Sequence, residues 1–380
     1  MPRLPIDEPA AKLRQIITQA IEAAGGWMGF DGFMNRALYT PGLGYYANAT
    51  PKFGLMPEGR QGQGSDFVTA PELSPLFGAT LARQVAQALE ATGTHEVWEF
   101  GAGTGALALQ LLDALDALGH APRRYTIVDL SGSLRARQQA RLARHADRVH
   151  WAGQLPETLE GVVVGNEVLD AMPVQLLRRV GGHADGTWFE RGVALDGDGA
   201  LAWADRPTVL RPPVMIEGPH DYLTEIHPQG EAFIRTLAER LRRGAAFFID
   251  YGFPEAEYYH PQRHMGTLIC HRAHRSDHNP LADLGLKDIT AHVNFTGIAL
   301  AAQDAGLTVL GYTSQGRFLI NCGLLEVAKD AGPAANAMLG KLVHEHEMGE
   351  LFKVIGVAPA GSETGWDPIG FTSGDRTHRL

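Results

Sequence analysis

The segment Glu99-Phe100-Gly101-Ala102-Gly103-Thr104-Gly105 constrains this chain most, because an apolar run there must turn directly into a helix. Residues 95–100 read as a short strand and residues 104–118 as a helix with apolar residues at helical spacing. So tight a turn favours glycine, which takes positive φ and lets a ligand approach without a Cβ clash. The helix that follows offers unpaired N–H groups and a positive dipole end. Such a loop suits a carboxylate, a phosphate or a ribose.

Three ligand classes compete for it. A Walker phosphate loop requires Gly-Lys-Ser/Thr, and the chain has Gly105-Ala106-Leu107, so that class fails. The dinucleotide fingerprint is met by Gly101, Gly103 and Ala106, and on the glycines alone nicotinamide binding stays open. The adenosylmethionine pattern is an acid, one apolar residue, then Gly-x-Gly-x-Gly. Glu99 to Gly105 fits it throughout. Asp129, at the end of the next apolar strand, is placed to accept from ribose hydroxyls, which either adenosine cofactor would use.

Strand and helix alternate from about residue 95, with strands expected at 125–130, 149–151 and 162–165, so a mostly parallel sheet covered by helices is expected. Ahead of it, residues 13–24 carry apolar residues at helical spacing before Gly25-Gly26, and residues 74–90 read as a second helix. Residues 54–66, rich in Gly, Pro and Gln, read as a loop. After residue 172 the rhythm breaks. Residues 174–204 read as antiparallel strands with turns at Gly181-Gly182 and Asp196-Gly197. A helix at 229–243, a strand at 245–251, a helix at 295–305 and strands at 307–313 and 351–357 complete the pattern. The division expected is a helical N-terminal cap over 1–80 and a core over 81–380, with insertions at about 174–228 and 252–291.

Composition narrows the class. The 380 residues are 44% hydrophobic with a formal charge of −10, which disfavours a chain that tracks phosphates over its whole surface. Two cysteines make no disulfide framework, so a reducing, cytoplasmic setting is expected. No apolar run reaches the length of a membrane span. His260, His264, His271, His274 and His278 invite a metal, but Cys270 stands alone among them and zinc-finger spacing is absent. His344-Glu345-His346-Glu347-Met348 has Met348 where a metalloprotease needs its second His. No metal site is expected.

The segment Asn166-Glu167-Val168-Leu169-Asp170-Ala171-Met172-Pro173-Val174 follows an apolar strand expected beside the glycine loop. Ligands sit at the carboxyl ends of such strands, so Asn166, Glu167 and Asp170 should face the site. At these residues the chain resembles the MidA family of class I methyltransferases, which includes a mitochondrial complex I assembly factor that methylates arginine. The resemblance also rests on Gly44-Tyr45-Tyr46, on Asp66 to Ser74, on Ile249-Asp250-Tyr251-Gly252, on His260 to Gly266 and on Asp288 to Phe295. It runs in order from about residue 25 to 357. Asp129 stands where the family often has Glu, and Ser131-Gly132 where Ser-Pro is common; neither change removes a needed group.

The resemblance implies a Rossmann-like class I fold, a seven-stranded and mostly parallel sheet with a helical N-terminal region and inserted substrate-facing elements. It implies S-adenosyl-L-methionine as cofactor, with residues 69–74 closing over it. The cofactor-binding candidates are Thr69, Glu72, Ser74, Glu99, Gly101, Ala102, Gly103, Thr104, Gly105, Asp129, Leu130 and Asn166. An arginine acceptor stays charged and is held best by carboxylates through its N–H fork, which makes Glu167 and Asp170 the catalytic candidates with Asp250 in reserve. His292 and Asn294 stand just before an expected helix and line the acceptor pocket in one reading; in the other, Asn294 caps that helix and His292 is a packed loop residue. The resemblance extends to a protein substrate, a respiratory complex I subunit, with symmetric dimethylation. A small-molecule methyltransferase, or an assembly factor without turnover, is the alternative that the residues leave open.

Overall fold

The computed structural model describes residues 8–48, 69–129, 132–181, 187–272, 275–329, 331–362 and 365–380. Leu130, His274, residues 54–66 and the Asp66–Val68 part of the resemblance lie outside the described residues. The chain divides into two compact units, one of Met1–Thr50, Asp170–Gly230 and Glu255–Asn294, the other of Pro51–Leu169, Glu231–Pro254 and Phe295–Leu380.

The second unit is built on a sheet whose strands, in chain order, are β1 (Glu96–Phe100), β2 (Arg124–Val128), β3 (Val149–Ala152), β4 (Leu159–Asn166), β5 (Leu241–Phe253), β6 (Leu307–Ser314) and β7 (Phe352–Pro359). Their spatial order is β6-β7-β5-β4-β1-β2-β3. The pairs from β5 to β3 are parallel, and only β7 runs antiparallel to its neighbours β5 and β6. Val162, Val163 and Val164 of β4 are all 0% exposed, the unbroken apolar run that a central parallel strand requires. The strand order turns back between β1 and β4, and in such sheets that crevice takes the ligand.

Helices α1 (Ala70–Leu73) and α2 (Pro75–Thr92) precede these strands, and α3 (Ala106–Ala117), α4 (Gly132–Arg141), α5 (Pro228–Arg240), α6 (Phe295–Asp304) and α7 (Gln315–Asn321) lie between them in the chain. Ser74 caps α2, its Oγ accepting from the Leu76 N–H at 3.3 Å, with Pro75 opening the helix and left-handed Gly93 closing it. Buried Leu107, Leu111 and Leu115 line one face of α3, which packs with α2 into the core of this unit. The helix expected to run to residue 243 stops at Arg240. Leu241 and Arg243 instead pair with Leu159 and Glu160 of β4, across a bulge, so the ladder takes the residues that helical periodicity would have claimed.

Residues 366–376, of which Gly370–Asp375 matches nothing assignable in sequence, form a strap. Gln84 and Gln87 of α2 accept from the Gly370 and Ile369 N–H groups at 2.8 and 2.9 Å. Farther on, Asp375 Oδ1 accepts from the Tyr312 N–H at 2.9 Å, and the Arg376 N–H donates to the Tyr312 carbonyl at 2.6 Å. Tyr312 lies on β6, the edge strand, so the strap covers main-chain groups that would otherwise face outward.

The first unit holds the helices Glu8–Ala23 and Phe30–Tyr39 and two small sheets. Leu13, Ile17 and Ile21 recur every fourth residue along the buried face of its first helix. The strands Gln175–Val180, Thr187–Leu195, Leu201–Pro207 and Tyr222–Ile226 form an antiparallel sheet with the short strand Trp27–Gly29. Residues 252–291 were read only as an insertion rich in His, Tyr and Pro. They include a three-stranded sheet of Ile269–Arg272, Arg275–Asp277 and Asp288–Thr290.

Candidate active site

Gly101, Gly103 and Gly105 all take positive φ, at 63°, 54° and 83°. A Cβ on Gly101 would stand 3.0 Å from Val168 Cγ2, so the loop lies hard against the segment that follows β4. Gln138 of α4 fixes the other side. Its Nε2 donates to the Gly103 carbonyl and to Asp129 Oδ2, each at 2.9 Å, and its Oε1 accepts from Trp151 Nε1 at 2.8 Å. Gln138 is 0% exposed. It holds the glycine loop and the acid at the end of β2 in one frame. Sequence reasoning missed it, yet a signal was there: Leu134, Gln138 and Leu142 share one buried face, and a polar residue on an apolar stripe is a residue with partners.

Glu99 is 2% exposed and accepts from the Tyr125 hydroxyl at 2.7 Å. Burial pushes its carboxyl up to about 8, against the pull of the Tyr125 bond and with a further push from Asp129. Glu72 of α1 accepts from the Thr104 hydroxyl and from Arg141 Nη1, the latter at 3.0 Å, and Arg141 also reaches Thr104. Gln110 Nε2 donates to the Pro71 carbonyl at 2.7 Å. Residues 70–73 are thereby docked on the glycine loop and on α3. Thr69 precedes α1 without a side-chain cap bond. Ser74 is 1% exposed, and its hydroxyl caps α2 and donates to the Ala335 carbonyl at 3.3 Å.

At the end of β4, Glu167 is held at φ 54°, one of two non-glycine residues with positive φ among the described residues. Left-handed backbone is unfavourable for a side chain of this kind and persists only when its surroundings enforce it. Here Asp250 enforces it. Its Oδ2 accepts from the Val168 and Leu169 N–H groups at 3.1 and 2.9 Å and its Oδ1 from the Tyr251 N–H at 2.9 Å. The Glu167 N–H donates to the Ile249 carbonyl at 2.9 Å. Asp250 is 0% exposed and clamps main chain on both sides. Asn166 Nδ2 donates to Glu167 Oε1 at 3.0 Å, while its buried Oδ1 finds no partner among the described residues.

Asp170, His292 and Asn294 belong to the first unit. Asp170 is 4% exposed and its carbonyl accepts from the Ala291 N–H at 3.0 Å, which brings the 170 and 291–292 segments together. The His292 N–H donates to Thr267 Oγ1 at 3.1 Å. That hydroxyl and the Tyr258 hydroxyl donate to Glu225 Oε2, at 3.1 and 3.0 Å, and His227 Nε2 meets the Tyr258 hydroxyl at 3.0 Å. Burial drives His227 down to about 3, so it is neutral and donates from Nε2. Asn294 is 4% exposed in the two-residue strand before α6. Cys270 is buried in the apolar core of this unit, and among the described residues no three His, Cys, Asp or Glu gather as metal ligands.

Residues 80–313 match the Methyltransf_28 family of S-adenosyl-L-methionine-dependent methyltransferases. A solved structure of a Burkholderia thailandensis protein bound to S-adenosylhomocysteine is 49% identical, covering 99% of this chain and 100% of that one, with a TM-score of 0.90. The chain belongs to the MidA family of class I methyltransferases. More distant MidA relatives include the mitochondrial protein arginine methyltransferase NDUFAF7 homolog of Caenorhabditis elegans, 24% identical over 91% of this chain and 87% of its own. That of Xenopus tropicalis is 27% identical over 86% and 81%.

The cofactor of this MidA chain is S-adenosyl-L-methionine, and the residues fit it. Gly101, Gly103 and Gly105 of the loop carry no Cβ, Asp129 is held at the end of β2 by Gln138, and buried Asn166 Oδ1 is an acceptor that a ligand donor would satisfy. Among the described residues no helix is long and apolar enough to cross a membrane.

Proposed function

We propose that this MidA chain transfers methyl groups from S-adenosyl-L-methionine to an arginine side chain of a protein, with Glu167 as the carboxylate that holds the guanidinium. The observation that carries the reading is the enforced left-handed backbone of Glu167, buttressed by Asp250 at the end of the strand beside the glycine loop. Strain of that kind clusters at reaction centres. The naming of relatives aligned over most of the chain as protein arginine methyltransferases supports the acceptor.

The bound cofactor supplies an electrophilic methyl group on a sulfonium. Positioning does much of the remaining work, about 7–11 kcal/mol for well-oriented reactants. Glu167 accepts two N–H bonds from the guanidinium and localises its charge away from the attacking nitrogen. That nitrogen forms the new bond to carbon, the sulfur keeps the electrons of the old one, and the nitrogen's proton is lost to Glu167 or to water. Asp250 is a positioning residue that acts through the backbone of residues 167–169. Thr69, Glu72, Thr104, Asp129 and Asn166 hold the cofactor. A respiratory complex I subunit is the narrower form of the acceptor.

Glu167→Gln should leave S-adenosylhomocysteine affinity within a few-fold and lower turnover about 100-fold or more, the cost of a charged hydrogen bond in the transition state. Wild-type protein incubated with labelled cofactor and a bacterial lysate, followed by mass spectrometry, should place label on arginine. Label confined to a small metabolite overturns the arginine reading, and unchanged turnover in the variant removes Glu167 from the mechanism.

A further inference from the structure

The first unit carries an open groove that the mechanism above does not use. It encloses about 480 Å³ between Leu201, Ala202 and Trp203 on one strand and Asn279, Leu281 and Ala282 on a turn. Both sides are built in advance. The Trp203 ring packs on Phe30 with centroids 5.4 Å apart and takes the Arg191 guanidinium over its face at 5.7 Å, yet stays 36% exposed. In the turn, Asn279 Oδ1 accepts from the Leu281 N–H at 3.2 Å, and the Asn279 carbonyl accepts from the buried Lys287 ammonium at 3.1 Å. Leu201 and Leu281 pack against the apolar core of this unit.

The strand Leu201–Pro207 is a sheet edge. Among the described residues it pairs with Thr187–Leu195 alone. The Asp196 N–H donates to the Ala200 carbonyl at 2.9 Å and the Thr208 N–H to the Trp188 carbonyl at 3.1 Å, which brackets the ladder. Bonded pairs alternate in an antiparallel ladder, so Ala202 and Ala204 bond inward while Leu201, Trp203 and Asp205 turn their N–H and C=O groups outward. A row of outward main-chain groups is a template for one more extended strand. Charge on the walls selects among strands. Residues 195–206 and 275–284 contain five aspartates against Arg206 and Arg275. Cations from other segments bridge Asp205, Asp277 and Asp283. Asp196 and Asp198 are exposed, and among the described residues no ion pair reaches them; Arg14 meets their turn at the Gly199 carbonyl, at 3.2 Å.

We infer that this groove docks an extended, basic segment of the protein substrate by strand addition along residues 201–205. The inference rests on the reading of a protein acceptor and gives that acceptor a binding surface in the first unit. Main-chain bonds to Leu201 and Trp203 supply affinity. An apolar side chain of the segment lies between Trp203 and Leu281, and cationic side chains beside it face Asp196 and Asp198.

The test is fluorescence anisotropy of the full chain with a fluorescein-labelled peptide, Lys-Val-Arg-Val-Arg-Val-Lys. One control peptide has glutamate at every cationic position; the other is N-methylated at every backbone amide and cannot pair as a strand. Wild type should bind the basic peptide saturably and about tenfold or more tightly than either control. Trp203→Lys sets a charge on the edge and should weaken binding about tenfold or more. Asp198→Lys should weaken it by a few-fold that high salt removes. Asp198 is exposed on the turn, so its variant stays informative if the Trp203 variant fails to fold. S-adenosylhomocysteine affinity should stay as in wild type in both. Equal binding of the three peptides, no binding of any, or variants that bind as wild type does overturns the docking site. So does a concentration-dependent dimer in sedimentation that Trp203→Lys abolishes, which would assign the edge to a second copy of the chain. Peptide binding decides the groove, and the labelling of wild-type protein decides the acceptor, so the two readings fail separately.

Discussion

At the scale of single residues the most informative groups are the ones whose chemistry the fold has altered. Glu99 reads in sequence as the acid of a cofactor motif, and the motif was legible because its chemistry is local. What the carboxyl experiences was not legible, because the Tyr125 hydroxyl and the surrounding burial come from another strand. With its ordinary value at 4.5 and its folded value about 8, folding takes up a proton at neutral pH. The stability this group contributes is therefore complete below pH 4.5 and is lost as pH rises towards 8, roughly 3 kcal/mol by pH 7. Glu99→Gln keeps an acceptor for Tyr125 and removes the ionisation. Urea unfolding without cofactor should show the variant gaining on wild type from pH 5 to pH 8; parallel curves would refute the assignment. Asp250 gives the complementary lesson: its residue type is legible, whereas the three N–H groups that it clamps are brought to it by the fold.

Among elements, strands and helices of the sheet were readable from apolar runs and glycine stops, whereas the contacts that join them were not. Helix α4 shows why. Its sequence is mostly polar, yet Gln138 faces inward on the stripe marked by Leu134 and Leu142 and joins the glycine loop to β2 and β3. Gln138→Leu keeps the stripe apolar and strands the Trp151 N–H and the Gly103 carbonyl. S-adenosylhomocysteine affinity should fall about tenfold or more, at about 1–3 kcal/mol per unsatisfied buried group. Unchanged affinity by calorimetry would confine Gln138 to packing. Other ties span similar distances. Glu72, Thr104 and Arg141 meet from three separate elements, and no local pattern announces such a meeting.

For the whole molecule, sequence order presented an N-terminal segment and two insertions as separate stretches. The strand Trp27–Gly29 pairs with Thr187–Leu195, and residues before 50, from 170 to 230 and from 255 to 294 share one compact unit. Pairings of such long range have no periodic signature, and a strand as short as Trp27–Gly29 has almost none. The strap over 366–376 is another such feature. Asp375→Ala removes the acceptor for the Tyr312 N–H and should lower the thermal midpoint, at a cost of about 1–2 kcal/mol, while S-adenosylhomocysteine affinity stays as in wild type. An unaltered midpoint would mean that water replaces the carboxylate at no cost.

That strap also matters to a shortened chain. Every strand of the sheet precedes residues 366–376, so a chain without them keeps all the strands while β6 exposes a bare flank. Bare flanks recruit other extended chains. A message cut short upstream of Trp366 would yield a product with an assembled sheet and an adhesive side, a client for chaperones and not a milder version of the enzyme.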